Sequence, residues 1–148
     1  MMKSIMSALG LLFFSPYVFA FTCYMTLVKD TCWTQYNVTV EVYDAANNQQ
    51  KSTIIIPAKS TWARQKFECQ PGEKLRFQAK FTPIFWQQDE GKIYPGVSFW
   101  SLPDAVQSGD TAWNITLCFP REFAEVPMPP TATANCQCDT SKIPPIQP

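Results

Sequence analysis

Six cysteines carry most of the chemistry this chain could perform: Cys23, Cys32, Cys69, Cys118, Cys136 and Cys138. As thiolates they could hold zinc, but zinc sites pair C-x₂₋₄-C spacing or recruit histidine. The chain has no histidine, and its closest cysteines are separated by one residue, in Cys136-Gln137-Cys138. As a redox pair, that motif has the wrong spacing. Thiol–disulfide enzymes present C-x-x-C at a helix start, where the helix dipole lowers the thiol pKa; here the surroundings are proline-rich and show no helical pattern. An even number of cysteines instead reads as structural disulfides formed in an oxidising compartment. Residue types alone leave every pairing open.

The missing histidine also removes the usual general base and the Ser-His and Cys-His nucleophile pairs. Asp89-Glu90 are adjacent carboxylates, and paired carboxylates can do acid–base work at defined separations. Neighbours on a strand point to opposite faces, and in a polar loop two such groups read as solvated charge. Glu122 and Glu125 offer nothing more. The chain is therefore not expected to be an enzyme, to hold a metal or to need a cofactor. Asn37-Val38-Thr39 and Asn114-Ile115-Thr116 match the glycosylation acceptor pattern; both lie inside predicted strands and read as chance matches.

What remains is recognition. Phe85, Trp86, Tyr94, Phe99 and Trp100 form an aromatic block, and exposed aromatic rings anchor protein interfaces or stack on sugars. Most of these rings are needed to fill a core. Trp86 and Tyr94 flank the polar stretch 87–92, so they are the two expected to reach solvent and form the contact surface.

The first twenty residues have the three parts of a secretory signal: basic Lys3, an apolar stretch from Ala8 to Val18, and Val18-Phe19-Ala20 before the cut. The stretch is too short, and too soon broken by Pro16, for a permanent span of about 20 apolar residues. Thr22 and bulky Phe21 precede Cys23, which argues against a lipid-modified cysteine. Cleavage leaves a mature chain from Phe21, with no further apolar run able to span a membrane. Lysine plus arginine balance aspartate plus glutamate at 12 each, so losing Lys3 leaves a net charge of about −1 and no electrostatic footprint for nucleic acid.

The segment 21–33 carries two cysteines and alternating aromatic and polar residues. Val38, Val40 and Val42 stand at alternate positions, the mark of a half-buried strand. With the β-branched run Ser52–Ile56, they predict a hairpin over Val38–Ile56. Thr61–Cys69 alternates again. Leu75, Phe77, Ala79 and Phe81 oppose Lys74, Arg76, Gln78 and Lys80, a separation only a period of two produces. A short strand near Ile84, a loop and a strand at Val97–Trp100 follow. The last strand is Ala112–Phe119, with Trp113, Ile115 and Leu117 inward. Beyond Phe119, Pro120, Pro127, Pro129, Pro130, Pro144, Pro145 and Pro148 are unsuited to a sheet interior. They predict an extended tail over 120–148, stapled by Cys136 and Cys138 and loose from Asp139.

About seven short strands with turn signals between them predict an all-β fold, an antiparallel two-layer sandwich of immunoglobulin-like architecture over 21–119. A small barrel is the alternative.

Three blocks also carry a family resemblance: Phe21-Thr22-Cys23-Tyr24 running to Cys32-Trp33-Thr34-Gln35-Tyr36-Asn37-Val38-Thr39-Val40; Phe85-Trp86 with Tyr94-Pro95 and Phe99-Trp100-Ser101-Leu102-Pro103; and Gly109-Asp110-Thr111-Ala112-Trp113-Asn114. With the proline-rich Cys136-x-Cys138 tail, the chain resembles the small periplasmic EirA-like proteins of the Coxiella and Legionella group. The resemblance implies a bacterial periplasmic protein, in part at the cell surface or secreted. It further implies a role in intracellular growth through a type IVB (Dot/Icm) secretion system. The expected partner is an envelope protein, such as a component of that system; the other expectation is a glycan- or peptidoglycan-binding module.

Overall fold

The computed structural model describes residues 10–14, 19–133 and 135–147. Lys3 and the end of the apolar stretch lie outside the described residues. Leu11 to Phe14 are exposed, without regular secondary structure. The first strand starts at Phe21, and among the described residues no helix is long and apolar enough to cross a membrane.

Among the described residues, eight strands build two layers. One sheet has three: β1 (Phe21–Lys29), flanked by β4 (Trp62–Cys69) and β8 (Trp113–Phe119). The other orders β3 (Gln50–Ile56), β2 (Asn37–Asp44), β5 (Lys74–Thr82) and β6 (Tyr94–Pro95), with β7 (Trp100–Ser101) also on β5. The predicted hairpin is β2–β3, with Val38 opposite Ile56. Period-two alternation decides the inward faces: Val38, Val40 and Val42 of β2 and Leu75, Phe77, Ala79 and Phe81 of β5 are all buried. Among the described residues the strand pairs are antiparallel except one, since β1 runs parallel to β8.

Two predicted strands are displaced. Ile84 to Trp86 is not a strand; it leads into a 3-10 turn at Gln87–Asp89. The strand expected at Val97–Trp100 shrinks to the two residues of β7.

The core centres on Trp33, fully buried in the 3-10 turn that follows β1. Its ring meets Phe81 at 4.7 Å and Phe119 at 4.8 Å, edge-on in both cases, a geometry that adds to plain burial. Asp30 caps this turn, its carboxylate accepting from the Cys32 amide at 2.9 Å. Burial pushes the Asp30 carboxyl above its ordinary pKa, with the Cys32 amide opposing.

Three disulfides close the structure: Cys23–Cys69, Cys32–Cys136 and Cys118–Cys138. Cys23–Cys69 links β1 to β4 and is fully buried. The other two fasten the tail. Cys118 stands on β8, Cys32 follows β1, and Asp30 forms a β-bridge with Cys138. Thr31 donates its amide to the Gln137 carbonyl. The loops closed span 46, 104 and 20 residues, each restricting the unfolded chain by roughly 3–5 kcal/mol. The tail is not free from Asp139 onward: Ile143 and Ile146 are half-buried, and the segment 143–146 lines a cleft on the β4-β1-β8 sheet.

Lys29, at the end of β1, is 3% exposed. Its ammonium donates to the carbonyls of Tyr36 at 2.7 Å and Pro57 at 2.9 Å, and no carboxylate lies within ion-pair reach among the described residues. Burial lowers its pKa from 10.5 to about 8. Below pH 8 both folded and unfolded chains hold this proton, and the burial penalty is fully present. Between 8 and 10.5 only the unfolded chain keeps it, so stability contributed here rises with pH. Urea unfolding of the protein and of Lys29→Met from pH 7 to 10.5 should show the wild type gaining on the variant; a constant difference contradicts this.

Candidate functional site

The aromatic block lies along the free edge of β5. β6 pairs with Gln78 and Ala79, and β7 pairs with Lys74 and Leu75. Between these anchors the Gly96 amide donates to the Phe77 carbonyl at 2.8 Å. A Cβ on Gly96 would sit 3.4 Å from that oxygen and 3.5 Å from the Phe77 Cβ, ordinary van der Waals contact, so the segment lies directly against β5. From the other side, Val97 donates to the Glu122 carbonyl, Ala124 donates to the Pro95 carbonyl, and Gly96 bridges to Phe123. The segment is thus held between β5 and the chain following β8. Its backbone is fixed, with Tyr94 turned inward and Val97 exposed.

Five apolar residues of this stretch are exposed: Trp86, Ile93, Val97, Phe99 and Trp100. Trp86, expected at the surface, is 57% exposed. Tyr94, expected there too, is a correction: it is 2% exposed and stacks on Phe81 at 5.6 Å and 16°. The reason lies in the strand pairing, since Tyr94 opposes Ala79, an inward position of β5. Burial, and secondarily Asp89, raises the Tyr94 hydroxyl above its ordinary pKa.

Phe81, Pro83, Ile84 and Tyr94 line a cleft of about 370 Å³, with Asp89, Glu90 and Lys92 also on its wall. A smaller hollow of about 160 Å³ lies among Phe77, Val97, Phe99, Trp100 and Leu117. The Lys74 ammonium sits 4.9 Å from the Phe99 ring centroid, an attraction of the cation–π kind. Sequence reasoning missed Ile93, Val97, Phe99 and Trp100 as surface residues. The available signal was Pro95-Gly96, a break that frees the following residues from strict alternation.

All six cysteines are bonded, Cys136 and Cys138 to different partners, so the C-x-C motif is no dithiol pair. Among the described residues, ligand atoms of Asp30, Cys32 and Cys136 lie within 4.8 Å of one another. Both sulfurs are spent in the disulfide, which leaves one carboxylate and no thiolate for an ion.

No protein-family model, curated protein or solved structure matches this chain.

The geometry separates the two flanking aromatics by mutation. Tyr94→Ala should lose about 3–5 kcal/mol of stability, as large-to-small core changes do. Trp86→Ala should stay within about 0.5 kcal/mol of wild type. Thermal or urea unfolding of the two variants decides it, and equal losses would contradict the placement.

Proposed function

We propose that this chain is an exported, non-catalytic protein of the bacterial periplasm that acts by binding another envelope protein through its aromatic loop. The observation that carries the reading is the exposure of Trp86, Ile93, Val97, Phe99 and Trp100 in the stretch 86–100, whose segment 94–97 is held by backbone hydrogen bonds on both sides. Apolar side chains gathered in one chain segment at the surface mark interaction sites. Rigid presentation lowers the ordering cost of binding. Three disulfides fit an oxidising compartment, and the signal-like start supports export. The resemblance to EirA-like proteins is the support for a partner in a type IVB secretion apparatus and for a role in intracellular replication.

A second reading, glycan binding, is favoured by Asp89, Glu90 and Lys92 lining the cleft on the same loop as Trp86. Exposed indoles stack on sugar faces while polar neighbours bind hydroxyl groups.

Affinity capture from envelope fractions with the disulfide-intact protein tests both. A protein retained by wild type and lost by Trp86→Ala and Phe99→Ala, with unfolding midpoints unchanged, supports the first reading. Tryptophan fluorescence that responds to soluble peptidoglycan fragments in wild type but not in Trp86→Ala supports the second. Retention unaffected by both substitutions overturns the loop as contact surface.

A further inference from the structure

The outer face of the β4-β1-β8 sheet holds a second cleft of about 420 Å³, unrelated to the aromatic loop. Strand register builds its floor. Thr26 stands opposite Arg64 on β4 and opposite Thr116 on β8, which aligns three side chains across the sheet. Thr26 is buried, and its hydroxyl accepts from Arg64 Nε at 2.8 Å while donating to Asn114 Oδ1 at 3.1 Å. Asn114 Nδ2 in turn donates to Thr116 Oγ1 at 3.2 Å. The arginine is thus held by its inner nitrogen through a continuous hydrogen-bonded row.

Among the described residues, this arrangement leaves the outer fork of the guanidinium without an acidic partner. Among the described residues, the ion pairs are Lys51–Glu73, Lys80–Glu41 and Arg121–Glu122, and no carboxylate lines this cleft. Trp62 supports the guanidinium from the side, 5.5 Å from ring centroid to Cζ. The other wall is the apolar segment 143–146, Ile-Pro-Pro-Ile, whose place is set by the tail disulfides. A half-buried, preoriented guanidinium fork matches an oxyanion that accepts two parallel hydrogen bonds, a carboxylate or a phosphate. Among the described residues Arg64 is the one cation lining the cleft, and an apolar wall faces it, so the singly charged carboxylate fits better. Isoleucine and proline opposite the fork suit a short apolar body.

We propose that this cleft binds a small carboxylate ligand, its acid group on the Arg64 fork and its short apolar body against the segment 143–146. The ligand chemistry is shared by free short-chain organic acids and by the last residue of a peptide with a free C-terminus.

Nuclear magnetic resonance of the disulfide-intact protein follows the Arg64 Nε–H, the Asn114 side-chain amide and the Trp62 indole. Isovalerate should shift these signals saturably. Its neutral isostere isovaleramide should not, and inorganic phosphate at matched ionic strength should bind roughly tenfold more weakly. Arg64→Gln should abolish the response, and Arg64→Lys should weaken it by about tenfold, because lysine keeps the charge without the fork. Should Arg64→Gln fail to fold, Asn114→Ala together with the acid–amide comparison carries the test. An Ala-Ala-Val peptide with a free carboxylate that outbinds both isovalerate and its own C-terminal amide assigns the site to peptide termini. A peptide acid no tighter than isovalerate assigns it to free organic acids. Equal shifts from isovalerate and isovaleramide, an unchanged Arg64→Gln, or tighter binding of phosphate overturns the proposal.

Discussion

The structure depends on β1 being buried on both faces. A central strand of a three-stranded sheet ordinarily shows one face to water, yet Met25 to Asp30 is a continuous buried run. The inner side packs on the second sheet. The outer side, with Thr26 and Val28, is covered because the chain after β8 folds back over it. That chain is rich in proline and has no strand to hold it, so hydrogen bonding alone offers little against its ordering entropy. Cys32–Cys136 and Cys118–Cys138 supply the constraint instead, one at the exit of β1 and one on β8. They cross-link the cover to the turn that leaves β1 and to its neighbour β8. The C-x-C spacing suits this: residues two apart in an extended segment face the same side, so both sulfurs point toward the sheet.

The same economy explains how the aromatic loop can be exposed without being loose. The edge of β5 would be an open row of backbone groups, a hazard in any sheet. Residues 94–97 cover it, and the turn after β8 pairs with their other side through Gly96 and Phe123. Tyr94 and Phe123 face inward and are buried. Of the rings left outside, Trp100 lies in β7 and Phe99 adjoins it, while Trp86 stands before the 3-10 turn, apart from the paired segment. The edge closure that protects the sheet thus also fixes the backbone that carries Phe99 and Trp100. In this region the molecule comes closest to the barrel that was the alternative to a sandwich.

Much of the fold was legible in the residues, and the failures have physical causes. The β2–β3 hairpin and β5 were readable because each has one buried face, which writes a period of two into the sequence. β1 is not legible as a strand because only Phe21 to Tyr24 alternates in burial, while the run from Met25 is covered on both faces and carries no period. Its parallel pairing with β8 left no trace, because parallel and antiparallel neighbours bury the same residue types. Tyr94 was misplaced for a different reason. It adjoins a polar stretch, and local composition suggested solvent, whereas a two-residue pairing with Ala79 turned the ring into the core. The reading of six half-cystines came from count and spacing; their partners needed three-dimensional proximity. Arg64 was only one of an alternating set of charges on β4, and its distinction appears once Thr26 and Asn114 stand beside it.

The contrast between the two sheet faces gives that distinction its meaning. On the outer face of the second sheet, the Glu41 carboxylate accepts from Tyr43 at 2.6 Å and from Gln78 at 2.7 Å, and it pairs with Lys80 at 3.6 Å. The Tyr43 hydroxyl, foremost, holds the Glu41 carboxyl below its ordinary pKa. Arg76 lies over the Tyr43 ring at 4.1 Å and donates to Asn48 and Gln78. The polar groups of that face are answered within the protein, so a ligand would have to break existing bonds to gain its own. In a chain whose formal charges cancel, unanswered capacity is the better guide to binding. It is found in two places: apolar rings held outside the core near a closed sheet edge, and a guanidinium fork positioned by a buried threonine with no carboxylate beside it among the described residues.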